Sequence, residues 1–261
     1  MAWFDHSGVG LHWREDGDPG GPPLLLLNSL GTDLRLWDGV IAKVNRFRII
    51  RLDTRGHGLS DAPAGPYTLE ALVSDVEALV DELGLSSLTV AGVSLGGMMA
   101  QLLGARRPSQ VARLVLSNTA PKMGTATLWR ERIAAVEKHG LDGIADGVLD
   151  RWFHSAFRND SDIGFWRNML LRTPAPGYLG CCEALAEADL SQSTTGLRMP
   201  ALVIAGSEDG ASPPELVRSL AEMIPGAQYE EFSETGHLPM AEVPGRFGDV
   251  VAEFLSEAID D

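Results

Sequence analysis

The sequence has little cysteine, with two residues in 261, Cys181 and Cys182, side by side. Adjacent cysteines close only strained disulfides, so a disulfide framework is excluded and both are expected as reduced packing residues. Basic residues are also scarce: 21 Lys and Arg stand against 36 Asp and Glu, for a formal net charge of −15. A surface of that sign repels phosphate backbones and anionic bilayers, which argues against nucleic-acid and membrane partners. An anionic small-molecule substrate would need a local cationic patch. Long hydrophobic runs are missing: "PLLLL" at 23–27 is among the strongest and falls far short of a bilayer span. Residues 1–20 lack the basic start and apolar stretch of a secretion signal, so the protein reads as cytoplasmic. No His, Cys, Asp and Glu spacing reads as a metal site, and there is no internal repeat.

Hydrophobic residues make up 44% of the chain, enough for a sizeable core in one domain. Short β-type runs alternate with helical stretches, the pattern of an α/β sheet. The runs are "GVGLHWRED", "PPLLLLNS", "FRIIRLD" (47–53), "SLTVAGV" (87–93), "VARLVLSN" (111–118), "PALVIAGSE" (200–208) and "AQYEEFSE" (227–234). The first of them sits near an edge, where a leading hairpin can start. Several are continuously apolar, as strands buried on both faces of a parallel sheet must be. In "TLEALVSDVEALVDELG" (68–84) the apolar residues recur at helical spacing, with Thr68 placed to cap the start and Gly84 to end it. "ELVRSLAEMI" and "FGDVVAEFLSEAI" read the same way. From Lys122 to Ser193 the strands stop and only helical patterns remain. The expected organisation is a core of 1–121 and 194–261 with an all-helical lid, 122–193.

One segment carries chemistry. Gly92-Val93-Ser94-Leu95-Gly96 follows an apolar strand and opens a helix, the context of a G-x-S-x-G nucleophile elbow. Ser94 must sit on a very tight turn, and side chains two positions either side would strike neighbouring backbone. A dinucleotide loop needs glycine where Ser94 stands, and a P-loop needs Gly-Lys-Ser/Thr, which is absent. The elbow demands an acid and then a histidine, each past a later strand. Asp209 in "AGSEDGASPP" and His237 in "SETGHLPM" meet that demand. Glu208 is a rival to Asp209, although neighbours leave a strand end in opposing directions. His57, in "RGHGLSD", precedes the serine and reads as structural. The oxyanion donors are expected to be the backbone N–H groups of Leu95 and of Leu30, in "NSLGTD". Asn28 and Ser29 beside Leu30 read equally as turn formers.

Asn28-Ser29-Leu30-Gly31, Asp53-x-Arg55-Gly56-His57-Gly58-x-Ser60, the Ser94 elbow, Gly206-x-x-Asp209 and Gly236-His237 together resemble the α/β-hydrolase fold over the whole chain. More narrowly, "NSLGTDLRLWD", Leu128-Trp129-x-x-Arg132-Ile133, Arg151-Trp152-Phe153 and Gly177-Tyr178-x-Gly180-Cys181-Cys182 look like the 3-oxoadipate enol-lactonases of the β-ketoadipate pathway. The resemblance implies a mostly parallel central sheet flanked by helices, a Ser94–His237–Asp209 triad and no cofactor. It also implies a small anionic lactone as substrate, bound by a monomer or small homo-oligomer. Of the insert arginines 130, 132 and 151, Arg132 lies three residues beyond Trp129, so both can share a helix face. Trp129, Arg132 and Trp152 are therefore the candidate substrate contacts, although arginines here also read as solvated ion-pair partners. A general carboxylesterase, a cofactor-free perhydrolase and a ligand receptor that keeps the triad remain open on the same residues.

Overall fold

The computed structural model describes residues 2–256. Eight strands form one sheet: β1 (Ala2–His6), β2 (Val9–Gly17), β3 (Pro23–Leu27), β4 (Arg48–Leu52), β5 (Leu88–Val93), β6 (Val111–Ser117), β7 (Ala201–Gly206) and β8 (Gln228–Phe232), in the order 1-2-4-3-5-6-7-8. β1 and β2 pair as an antiparallel hairpin, β2 runs antiparallel to β4, and every other pair is parallel. The expected mostly parallel α/β sheet is what the chain forms. Its middle strands are the continuously apolar ones, and β5 and β7 are buried at every residue. The outer strands β1 and β8 alternate or carry charge, which suits an edge that must not pair further.

Helices α1 (Leu69–Glu82), α2 (Leu95–Arg106), α8 (Pro214–Met223) and α10 (Pro244–Ser256) make the crossovers and the flank. Between β6 and β7 lie α3 (Ala126–His139), α4 (Asp142–Trp152), α5 (Ile163–Leu171), α6 (Ala175–Glu187) and α7 (Ser191–Thr194), and among these described residues there is no strand. The short α9 (Pro239–Glu242) follows β8. Thr68 caps α1 by accepting the Ala71 amide at 3.1 Å, and Gly84, at φ +59°, ends it. The helical reading of 247–259 forms as far as Ser256, and its last three residues lie outside the described range.

Parallel pairing fixes where the strand ends fall. Val93 sits opposite Ser117, Ser117 opposite Ile204, and Gly206 opposite Phe232. The residues that follow β5, β6, β7 and β8 therefore collect along one edge of the sheet, the edge where open α/β sheets bind ligands. The helical insert packs over that edge. Both cysteines are free and buried in α6, and burial pushes the Cys182 thiol up to about 12.

Candidate active site

Ser94 joins β5 to α2 with φ 56° and ψ −119°, a conformation that costs an L-residue about 1–3 kcal/mol and persists only where its surroundings enforce it. The flanking glycines are what allow it. A Cβ on Gly92 would lie 2.2 Å from the Gly96 carbonyl oxygen, and one on Gly96 would lie 2.3 Å from that of Leu27. The elbow is held by the Ser94 amide donating to Ser117 (3.1 Å) and by Thr119 Oγ1 donating to the Ser94 carbonyl (2.7 Å). The Ser94 hydroxyl itself meets Met123 Sδ at 3.9 Å.

His237 and Asp209 come together at the next two relevant strand ends. His237 Nδ1 lies 2.8 Å from Asp209 Oδ2, with both side chains buried. A carboxylate can only accept, so Nδ1 carries the proton and Nε2 is left as the basic nitrogen. Asp209 also accepts the Ala211 amide (2.7 Å), the Ser212 amide (2.9 Å), the Ser212 hydroxyl (2.6 Å) and Asn118 Nδ2 (2.9 Å). Burial alone would raise its pKa, but His237 and these donors outweigh it and hold the carboxyl below its ordinary value. Glu208 is exposed, and the carboxylate that meets His237 is that of Asp209.

The loop after β3 supplies the other face. Leu95 opens α2, where first-turn amides have no intrahelical acceptor, and Leu30 lines the same cavity as Ser94 and His237. His57 supports this loop from behind: its Nε2 accepts the Gly31 amide at 2.9 Å, while burial lowers its pKa and keeps it neutral. Asn28 turns inward, donating to Leu52 (2.7 Å) and accepting from Trp37 (2.9 Å), so it organises the loop.

The cavity holds about 150 Å³. That is at most half of the roughly 300–1,000 Å³ usual for drug-sized ligands, which restricts it to a small molecule. Trp129, Arg132 and Trp152 line it, and so do Arg151 and Tyr178. Arg132 Nη1 donates to the Tyr178 hydroxyl at 3.2 Å, and Trp129 Nε1 is tied to the Met123 carbonyl at 2.6 Å. Burial, and after it the charge of Arg132, lower the pKa of Arg151. Among the described residues neither guanidinium has a carboxylate partner. Arg130 is outside, exposed and paired with Glu187 at 3.1 Å.

Residues 22–244 match the family model for the alpha/beta hydrolase fold. The chain belongs to that family. It is 37% identical to 3-oxoadipate enol-lactonase 2 of Acinetobacter baylyi over 93% of this chain and 92% of the relative. With 3-oxoadipate enol-lactonase 1 of the same organism the identity is 32%, over 96% and 95%. The crystal structure of the enol-lactonase from Burkholderia xenovorans superimposes with a TM-score of 0.94 at 37% identity, covering 98% of this chain and all of that one. A thermophilic esterase from Thermogutta terrifontis, solved with malate bound, reaches 0.90 at 29% identity, covering 98% and 96%. With these relatives, this α/β-hydrolase is a carboxylic ester hydrolase.

Several residues of the hydrolase site escape a reading of the sequence. Asn118, at φ 48° just past β6, donates from one amide to both Asp209 and the Gly236 carbonyl (3.2 Å), tying two loops together. Its position at the end of a central strand was a usable signal. Ser212, three residues after Asp209, also approaches His237 Nδ1 at 3.2 Å. Glu242 accepts the Gly236 amide at 2.7 Å and the His154 amide at 3.1 Å, while the His237 amide donates to the Trp152 carbonyl at 2.8 Å. Together these bonds fasten the histidine loop to the end of α4. Desolvation pushes the Glu242 carboxyl up to about 7 despite its two amide donors. No local pattern announces Glu242, because its partners come from two other segments. Among the described residues no His, Cys, Asp and Glu group could hold a metal ion, and no helix is long and apolar enough to cross a membrane.

Proposed function

We propose that this hydrolase opens the lactone ester of 3-oxoadipate enol-lactone to give 3-oxoadipate, a step in the catabolism of aromatic compounds. Ser94 Oγ attacks the lactone carbonyl while His237 Nε2 takes its proton, and Asp209 holds the ring's tautomer and steadies its charge. The amides of Leu30 and Leu95 receive the oxyanion, each such donor contributing about 3 kcal/mol to lowering a barrier of this kind. The acyl C–O bond then breaks, the enol oxygen takes the proton from His237, and the enol tautomerises to a ketone. Water, deprotonated by His237, attacks the acyl-Ser94 ester and releases the second carboxylate and the free serine. Residues 122–193 act as the lid on a core of 1–121 and 194–261, working in the cytoplasm without a cofactor.

One observation carries the choice of substrate: two guanidiniums without carboxylate partners, Arg132 and Arg151, share a small cavity with Ser94 and His237. In a protein of net charge −15 that is a local site for an anion. Kinship with lactonases at 37% identity points the same way. The likeness to an esterase at 29% identity favours a second reading, a general carboxylesterase on the same triad. The covalent step is tested by labelling with a fluorophosphonate and locating the adduct by mass spectrometry. The adduct is expected on Ser94, slowed by the enol-lactone and absent in Ser94→Ala. Turnover by Ser94→Ala at more than a trace of the wild-type rate would overturn the acyl-enzyme route.

A further inference from the structure

A second cavity, of about 380 Å³, lies where α5 meets the core and shares no lining residue with the catalytic one. His12 of β2 forms part of its wall, with Arg35 from the 34–37 turn and with Met169, Arg172 and Thr173 from the insert. His12 is 8% exposed, and its Nδ1 lies 2.7 Å from Asp53 Oδ2, so that nitrogen carries the proton. Nε2 is buried and has no hydrogen-bond partner. Asp53 is otherwise engaged, accepting the Leu34 amide at 2.8 Å and the Leu59 amide at 2.9 Å.

The cations of this cavity differ in how they are matched. Arg35 is gripped through two nitrogens by Asp33, at 2.9 and 2.5 Å, and Arg14 reaches Asp16 at 3.2 Å. The Arg172 guanidinium has no hydrogen bond or ion pair among the described residues. The cavity is thus lined by one guanidinium without a carboxylate partner, on the exposed Arg172, and by the ring of His12, whose Nε2 has no hydrogen-bond partner; Asp33 and Asp53 in its wall are already engaged, and Leu34, Leu59 and Met169 are apolar. A buried acceptor without a donor is costly, and a guanidinium binds a carboxylate in a fixed two-point geometry. A plain carboxylate has no proton to give His12, whereas a molecule that also carries a hydroxyl answers both groups.

We propose that this cavity binds a small hydroxy-carboxylate, its carboxylate on Arg172 and its hydroxyl donating to His12 Nε2. Because Arg172 caps α5 and His12 belongs to the sheet, the ligand ties the helical insert to the core at a point separate from the catalytic cavity. The proposal does not depend on the lactonase reading.

Calorimetric titration of the full chain with L-malate, succinate and inorganic phosphate tests it. Malate is expected to bind, with succinate, which lacks the hydroxyl, about tenfold weaker or worse. Arg172→Gln should weaken malate by a similar factor without changing the far-ultraviolet circular dichroism. His12→Asn, which keeps a donor for Asp53 and removes Nε2, should bring malate to the level of succinate. The double variant Arg132→Gln/Arg151→Gln, which removes the anion site of the catalytic cavity, should keep the malate site that Arg172→Gln weakens. Malate binding that is absent, unchanged in Arg172→Gln, or lost in that double variant would overturn the site. Phosphate binding as tightly as malate would overturn the carboxylate assignment.

Discussion

Replacing Arg132 with Gln tests whether the catalytic cavity reads charge. The guanidinium lies in a small cavity beside the half-buried Arg151, with the Tyr178 hydroxyl at 3.2 Å and no carboxylate partner among the described residues. A hydrogen bond to a charged group there contributes about 1.5–3 kcal/mol, and every 1.36 kcal/mol is tenfold in rate. Arg132→Gln should therefore lower kcat/KM for the anionic enol-lactone by about 12- to 160-fold. In the proposed complex both arginines meet one carboxylate, so Arg132→Gln/Arg151→Gln should lose less than the sum of the single losses, by about 0.5 kcal/mol or more. Both activities are read by stopped-time assays on the lactone and on a small neutral ester such as p-nitrophenyl acetate. Hydrolysis of the neutral ester should scarcely change, since Ser94, Asp209 and His237 are untouched. Equal losses on both substrates would mean that Arg132 holds the insert in place, and the charge argument would be refuted.

Asp209→Asn should cut turnover by on the order of 10³–10⁴, while Glu208→Gln, exposed and away from His237, should leave it within about twofold; steady-state kinetics on either substrate decide this. Folded Glu242 holds its proton to about pH 7, whereas an unfolded glutamate loses it near 4.5. Between those values the folded state binds more protons, so this group's contribution to stability falls as pH rises. The melting temperature of the wild type relative to Glu242→Gln should accordingly drop between pH 5 and pH 7.5 and then level off, and a rise across that range would contradict it. Gly96→Ala would press a methyl to 2.3 Å from the Leu27 oxygen and should cost about 3 kcal/mol or more in urea unfolding. Gly147→Ala, in open space within α4, should instead add about 0.5–1 kcal/mol.

What could be read in advance follows from how local each signal is. The sheet was legible because buried parallel strands are continuous apolar words, and β5 and β7 are buried throughout. Ser94 and Asp209 stand just past such words and His237 past the charged edge strand β8, and because parallel pairing brings these strand ends to one edge, their grouping could be read in advance. The Ser94 turn was readable in its glycines, whose absent side chains would strike backbone. The bonds that lock the site were not legible, because each joins distant segments: Asn118 to Asp209, Glu242 to both Gly236 and His154, His57 to Gly31. Among the insert arginines, spacing brought Arg132 to the side of Trp129, and a two-residue step placed Arg130 across the helix, where it meets Glu187. Arg151 belongs to another helix, and its approach to Arg132 depends on how α3 and α4 pack, which no local pattern records.

In the proposed function the cavity pairs an acyl-transfer serine with a carboxylate reader for one small anionic lactone. Comparing kcat/KM of the wild type for 3-oxoadipate enol-lactone with that for a neutral lactone of the same ring tests it most directly, since the two substrates differ only in the carboxymethyl arm. Two guanidinium contacts at about 1.5–3 kcal/mol each, less than additive by about 0.5 kcal/mol, predict a preference for the anionic lactone of roughly seventyfold or more, with 3-oxoadipate as the product by NMR. Equal specificity constants, or faster opening of the neutral lactone, would contradict the account and leave a general esterase in its place.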